Sequence, residues 1–307
     1  MKTLIQLLLI PITIQIIATA NIAFGFTDVE SGDTHYVAIS YLDENGIING
    51  YDDGTFRPQE KISRAEALKM LTLASGLFSE NEMQEIETDT PPFTDTPASD
   101  WYTPYLEAAK DKGIISGYED GTFKPENTIN LAETLKIFIS SFEELDYPAL
   151  TEDNLFVDTP LTDWYAIYVA FAKGKGLLNI SAVNEIFPNQ EMTRGYMAEI
   201  IYRMLKSDEG YEFGKATFYG AAVQGHFTAS GEIFDMNELT AAHKYLPFGS
   251  VVEVTNLANG KSVQVRITDR GPYGYGRVLD LTSGAFDEIA WLGTGIINVE
   301  YKIIYLP

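Results

Sequence analysis

The chain has 307 residues, which at roughly 150 residues per domain suggests about two domains. It is 45% hydrophobic and 12% aromatic, enough to bury a core, and its 44 acidic against 21 basic side chains (net −23) exclude a nucleic-acid binder and loose adhesion to an anionic membrane. Cysteine is absent, which excludes disulfide frameworks, thiolate zinc sites, cysteine nucleophiles and a lipid-modified cysteine, and three histidines (His35, His226, His243) are too few for a multi-histidine metal site.

Residues 1–25 begin Met1-Lys2, continue with an apolar stretch from Leu4 to Ile17, and end in Ala18-Thr19-Ala20, with a second small-x-small site at Ala23-Phe24-Gly25. A basic start, an apolar middle and a small-x-small end predict a secretory signal peptide. The competing reading is an uncleaved anchor. The run is short for about 20 spanning residues, and Pro11 and Gln15 interrupt it. Both readings place the remainder outside the cytoplasm, and cleavage leaves no stable membrane insertion.

Three internal repeats follow. Phe26-Thr27-Asp28-Val29 recurs as Phe93-Thr94-Asp95-Thr96 and Phe156-Val157-Asp158-Thr159, at offsets of 67 and 63 residues. In each copy a Gly-aliphatic-aliphatic triplet begins 20 residues after the Phe (Gly46, Gly113, Gly176), and a Pro follows at 32 (Pro58, Pro125, Pro188). Each unit reads as helix, loop, helix. Tyr102, Tyr105, Leu106 and Ala109 form one helical face, Gly113 ends that helix, and 117–123 is turn-rich. Ser63-Arg64-Ala65-Glu66 and Asn130-Leu131-Ala132-Glu133 fit capping boxes. The copies span 26–78, 93–145 and 156–206. Acidic stretches at 79–92 and 143–153 read as solvated linkers or short helical extensions, and 207–213 as a linker to the last unit. Residues 26–205 carry 32 acidic and 12 basic side chains.

These residues resemble the S-layer homology module, whose pattern is F-x-D-V, a Trp-containing helix, G-I-I-x-G-Y-x-D-G-T-F-x-P and I-T-R-A-E. The resemblance implies three all-α modules that dock on cell-wall polysaccharide, often a pyruvylated polymer, or on an equivalent envelope glycan. Arg64 and Arg194 stand at the family's Arg position, where a planar guanidinium suits carboxylates. Trp101 and Trp164 either stack on sugar or pack as core. Glu66 and Glu133 read as capping residues. No copy keeps the whole pattern. Copy one has Tyr36 near the Trp position, and copy two has Leu131 at the Arg position. Copy three has the loop Asn184-Glu185-Ile186-Phe187, and Tyr196 in place of the Glu. At most two grooves look competent, and an acidic unit must hold an anionic polymer through local Arg pockets.

From Gly214 the pattern changes. Val251–Val254 and Val263–Ile267 are β-branched runs, Asn259-Gly260 between them is a hairpin signal, Thr282 to Trp291 reads as a short helix, and Gly295 to Ile304 as a closing strand. That predicts a small, mostly β unit over 214–305, more consistent with a barrel than with an open sheet. Its motifs are Gly214–Gly220, Thr228–Glu232, Leu239–Gly249, Val254–Leu257, Thr268-Asp269-Arg270-Gly271-Pro272 and Arg277–Leu281. They resemble the double-psi β-barrel of the rare lipoprotein A family, and more distantly the expansins. The family's lipoprotein cysteine is missing, and docking through the repeats could replace the lipid.

That resemblance implies a peptidoglycan lytic transglycosylase, which cuts between N-acetylmuramic acid and N-acetylglucosamine and leaves a 1,6-anhydro end. Because the sugar's own 6-hydroxyl attacks, one carboxyl can protonate the leaving oxygen and then accept the hydroxyl proton, where an ordinary glycosidase needs two. Asp269 matches the family's (N/T)-D-R-G-P motif and is the first choice as acid/base; alternatively it only starts a turn. Asp280, in an apolar strand, matches the aspartate of expansin-like relatives, or caps the next helix. His243 matches a groove-lining position, or ends a short helix. Tyr219 and Thr228 are candidate sugar contacts, with Tyr219 equally suited to barrel packing. No metal and no cofactor are expected, and the partners are peptidoglycan strands and a wall polysaccharide. The alternatives to a wall-anchored enzyme are a non-catalytic expansin-like glycan binder and a structural spacer.

Overall fold

The computed structural model of the protein describes residues 25–86, 90–142 and 145–307. The signal peptide expected over 1–25 lies outside these except for its last residue. Each repeat forms the expected helix pair: α1 (Tyr36–Glu44) with α2 (Arg64–Ala74), α4 (Thr103–Asp111) with α5 (Leu131–Ser140), and α6 (Ala166–Gly174) with α7 (Arg194–Asp208). The short α3 (Glu80–Glu85) occupies the first acidic stretch. Both capping boxes form, at Ser63/Glu66 and Asn130/Glu133. Gly46, Gly113 and Gly176 leave the first helices at φ of +66°, +73° and +68°, a left-handed turn that costs a residue with a Cβ about 1–2 kcal/mol.

The Asp of each Phe-x-Asp motif explains its fixed distance from the loop. Asp28 accepts both the Phe56 and Arg57 N–H groups at 2.7 Å. Asp95 accepts Phe123 and Lys124 at 2.8 and 2.7 Å. Asp158 does the same for Ile186 and Phe187. The second residue of each pair, Arg57, Lys124 and Phe187, has φ of +59°, +59° and +55°. Two charge-assisted bonds thus hold a non-glycine residue in the left-handed region and drive Phe56, Phe123 and Ile186 into the core.

The helical unit is not purely α. Ile62 N–H donates to Met192 O (3.0 Å), Met192 N–H to Ile129 O (2.8 Å), and Ile129 N–H to Ile62 O (3.3 Å). Isolated β-bridges join Lys61 to Thr193, Ser63 to Thr128 and Asn130 to Glu191. The three repeats therefore close into a ring around these bonds, with one continuous core reaching from Ile39 to Met204.

The C-terminal unit is a closed six-stranded barrel: β1 (Tyr211–Tyr219), β2 (Thr240–His243), β3 (Val251–Asn256), β4 (Ser262–Asp269), β5 (Arg277–Thr282) and β6 (Ile297–Tyr305), ordered β1-β5-β2-β4-β3-β6. The pairs β1/β5 and β2/β4 are parallel and the rest antiparallel. Helix α8 (Ser283–Ile289) follows β5 with Thr282, not Asp280, as its N-cap. Residues 207–213, expected as a linker, are the end of α7, a turn with Gly210 at φ +86°, and the start of β1. Ala38, Tyr202, Phe213 and Leu257 bury a small core between repeats and barrel, and the Tyr202 hydroxyl donates to Glu300 at 2.7 Å. Among the described residues no helix is long and apolar enough to cross a membrane.

Asp95→Ala removes both bonds that hold the Phe123–Lys124 loop, and we expect it to cost about 3 kcal/mol. Urea denaturation measures this; a loss below about 0.5 kcal/mol would show that the loop holds itself.

Candidate active site and glycan grooves

Strand register builds the barrel site. Ala242 of β2 pairs with Asp280 on one side and Asp269 on the other, and Asp280 pairs in turn with Thr217 of β1. Register partners share a face, so Thr217, Asp280, Ala242 and Asp269 form a row across four strands. Ala216, Ala241, Leu279 and Leu281, one residue away from the row, fill the barrel interior, as does Ile267, which a register shift between the Ala241–Ile267 and Ala242–Asp269 pairs sets apart from Asp269. The row lies on the outer face.

The two carboxyls differ in surroundings. Asp269 Oδ1 accepts the Ala229 and Arg270 N–H groups at 2.9 and 2.8 Å. Asp280 Oδ1 accepts one bond, from the Thr217 hydroxyl at 2.8 Å. Burial pushes the Asp280 carboxyl above the usual carboxylate range, and the Asp269 charge adds to this; the Thr217 bond and the Arg277 charge oppose it. Tyr219 joins the pair. Its ring stacks on Phe234 at 4.6 Å, and its buried hydroxyl has no hydrogen-bond partner. Burial, then the charges of Asp269 and Asp280, hold the phenol neutral well above its ordinary pKa. A neutral O–H beside two carboxyls and free of other duties can donate to a ligand oxygen.

Thr228 is buried in the loop above the row. Its hydroxyl meets Ser230 Oγ at 3.0 Å and the Glu232 carbonyl at 3.2 Å, which shapes the loop instead of facing the carboxyls. The loop is fastened by Ala229 to Asp269, by Ser230 N–H to Thr268 O at 3.0 Å, and by a bidentate Glu232–Arg266 pair at 2.7 and 2.9 Å. Phe227 and Tyr273, on the loops that carry Thr228 and follow Asp269, are 78% and 81% exposed. Such rings offer sugar-stacking faces. Phe227 sits in an isolated β-bridge with Ile233 and Tyr273 in a loop, so neither has a periodicity to mark it in the sequence.

The structure does not bring His243 to the carboxyls. It lies at the end of β2, not of a helix, and one residue beyond Ala242 it faces the opposite side. Its Nδ1 accepts the Tyr245 and Leu246 N–H groups at 3.1 and 2.9 Å, which places the proton on Nε2, 3.0 Å from the Tyr301 hydroxyl. Tyr301 in turn donates to Glu212. Both ring nitrogens are occupied inside the barrel.

Two grooves form between repeats, each from three copies. In the first, Arg64 of copy one reaches copy two: its Nε donates to Phe123 O at 3.0 Å, Nη1 pairs with Glu133 at 2.9 Å, and the guanidinium lies 5.0 Å from the Tyr118 ring centre. Lys136 of copy two and Trp164 of copy three complete a cavity of about 150 Å³. In the second, Arg194 of copy three donates through Nε to Phe56 O at 2.8 Å and stacks 4.6 Å from Tyr51, whose hydroxyl bonds Glu66. Lys69 then stands 6.0 Å from the Trp101 ring. Trp101 and Trp164 are 53% and 55% exposed and are not core. Glu66 and Glu133 cap their helices and also hold these tyrosines. Tyr51, Tyr118, Lys69 and Lys136 were missed in the sequence, although each pair recurs at the repeat offset. The third junction differs: Leu131 is buried at the Arg position, Glu199 pairs with Arg203 and bonds His35, and the cavity of about 380 Å³ there, lined by His35, Ser181 and Tyr196 among others, holds no arginine among the described residues.

Burial holds His243 below its ordinary pKa, so the folded barrel favours the neutral ring. Its contribution to stability is full above about pH 6.5 and is lost as pH falls through the lowered folded value. His243→Gln keeps a donor and an acceptor without titrating. We expect thermal melts of the wild type to fall between pH 7 and pH 5 by more than those of this variant, and parallel melts would refute the assignment.

Comparison with known proteins agrees with this division. Residues 211–301 match the family described as lytic transglycolase. The S-layer homology domain matches residues 25–68 and 92–135, two of the three expected copies. Endolytic peptidoglycan transglycosylase RlpA of Vibrio cholerae is 48% identical over 104 residues, 34% of this chain and 40% of that protein. The protein of the same name from Yersinia pestis is 49% identical over 101 residues, 33% of this chain and 28% of that protein. The chain thus spans less than half the length of these relatives. Among solved structures, the Clavibacter michiganensis expansin is 23% identical and covers 32% of this chain and 52% of its own, with a TM-score of 0.27. The C-terminal barrel is a lytic-transglycolase-type domain, and it follows S-layer homology repeats.

Proposed function

We propose that this protein is a secreted, envelope-anchored lytic transglycosylase that cuts peptidoglycan glycan strands while its repeats hold a wall polysaccharide. The observation that carries the reading is a half-buried Asp280 in register with Asp269 across Ala242 on the barrel's outer face. The third repeat is read as a further S-layer homology module, because its Asp158 clamp and helix pair repeat those of the matched copies.

The chemistry divides between the two carboxyls. Asp280, whose carboxyl burial holds above the usual carboxylate range, gives its proton to the leaving oxygen as the C1–O4 bond breaks. The 6-hydroxyl of the same sugar forms the C1–O6 bond, and its proton passes to the Asp280 carboxylate. No water is consumed and the acid is restored. Asp269, already accepting two N–H bonds, is the charged partner that steadies the positive charge developing at C1. This exchanges the roles expected from sequence, where Asp269 was the first choice as acid/base. Tyr219 supplies the free hydroxyl against a sugar oxygen. In the two grooves, Arg64 with Trp164, and Arg194 with Trp101, take the acidic group and the sugar face of the anchoring polymer.

The test is full-length protein on purified peptidoglycan, with released ends identified by mass spectrometry. We expect 1,6-anhydro ends, and a loss of about 10²-fold or more in Asp280→Asn. Reducing ends would indicate hydrolysis, and no release with binding intact would indicate a glycan-binding module. Activity requires protonated Asp280 and so falls as pH rises through its raised pKa. Arg277 opposes that rise, so Arg277→Gln should move this alkaline limb to higher pH; an unmoved or lowered limb would show that Asp280 is not the acid.

A further inference from the structure

The junction of the third repeat and the barrel encloses a cavity of about 210 Å³. Five cationic side chains line it: Lys173 and Arg203 from the repeat, and Lys215, Lys244 and Arg277 from the barrel. No lining residue is acidic among the described residues. In a chain with 21 basic and 44 acidic side chains, nearly a quarter of all the cations converge on one cavity.

The lysines among these are not paired with carboxylates. Lys173 donates to the carbonyls of Asp153 and Leu155 at 2.8 and 2.9 Å, and Lys215 to that of Ile180 at 2.9 Å. A carbonyl orients an ammonium without neutralising it. Arg203, 2% exposed, pairs with Glu199 and bonds Asn179, Gly176 and Leu178, yet its Nε is buried without a partner. Glu199 is already shared with His35. Clustered cations without anions are costly unless an anion joins them.

The cavity also lies next to the carboxyl row along β1. Lys215 pairs in register with Arg277 and Asn298. Thr217, which holds Asp280, lies two residues further along β1 on the same face, about 7 Å away. A glycan lying on the row therefore places a neighbouring sugar at the mouth of the junction.

We propose that this junction is an anion subsite that takes a carboxylate carried by the glycan strand bound on the Asp280 face. The inference rests on the reading of the barrel as a peptidoglycan-strand site. Repeat and barrel each supply part of it, so it exists only where the two units are docked.

The test is calorimetric binding with the full chain carrying Asp280→Asn, which prevents cleavage. Peptide-free strands of alternating N-acetylglucosamine and N-acetylmuramic acid carry the carboxylate, and chitohexaose is the neutral control. Adding Lys215→Gln with Lys244→Gln should weaken strand binding at least tenfold, flatten its salt dependence, and leave chitohexaose unchanged. Equal weakening of both ligands, or of neither, overturns the proposal. Lys244→Gln alone alters a half-buried side chain with no hydrogen-bond partner to lose, and should still weaken the strand by threefold or more if the double variant folds poorly. Polygalacturonate is an acidic glycan without the alternating backbone. If it binds more tightly than the strand, with the same lysine dependence, the subsite does not belong to the strand. Wild-type protein that prefers the charged strand but yields no anhydro ends would sink the cleavage reading alone.

Discussion

Three backbone hydrogen bonds, Ile62 to Met192, Met192 to Ile129 and Ile129 to Ile62, decide what the repeats can do. A helix pair of about 50 residues cannot bury its apolar face alone. Ring closure places the second helix of each copy beside the loop of the next, so Phe56 and Phe123 come to lie beneath the arginine of another copy. The arginines then sit at 7% and 5% exposure without being isolated charges, because backbone carbonyls and Glu133 or Glu66 meet them. The two arginine grooves follow from the ring: each brings an Arg, a Tyr-Glu pair and a Trp together from three copies.

The barrel solves a different problem with the same economy. Acid catalysis by a carboxyl pair needs two unlike environments. Strand register provides them within one row: Asp280 is half-buried with one hydroxyl donor, and Asp269 at the strand end takes two backbone donors. Closing the barrel with parallel β1/β5 and β2/β4 pairs brings residues 217, 242, 269 and 280 side by side though they are far apart in the chain. The loop over them is tied to Asp269 itself, so the order of the loop and the position of the carboxylate depend on one another.

Much of this was legible in the sequence, for identifiable reasons. Phe-x-Asp, Gly-aliphatic-aliphatic and Pro recur at fixed offsets because the Asp must reach two N–H groups 28 and 29 residues later. The capping boxes and the Thr282 helix follow local rules that tertiary packing did not override. Groove membership was not legible. Judged copy by copy, each repeat lacks part of the pattern, and the ring bonds that recombine the copies join Ile, Ile and Met, residues with no signature of their own. His243 was misplaced for a similar reason. β2 has four residues, all buried, so no alternation shows which of Ala242 and His243 faces outward. The 207–213 segment is polar and reads as a linker, but Tyr202 before it and Phe213 at its end are buried in the small core between repeats and barrel, which keeps it short.

That short connection bears on how anchoring and catalysis are coupled. Helix α7 carries Arg194 in its first turn, Tyr202 at the interface with the barrel, and passes into β1 after one turn. Its 15 residues span about 22 Å. The second groove and the carboxyl row are thus joined by α7, one turn and β1, not by a long tether. A flexible linker would let the barrel sample many strands around one anchoring point, at an effective concentration set by its length. Under the proposed function, a shared helix, with Val37 and Gly32 N–H groups bonded to the Leu257 and Ala258 carbonyls, would restrict the barrel to strands at one height and orientation relative to the held polymer. The same packing creates the cationic junction that neither unit has alone.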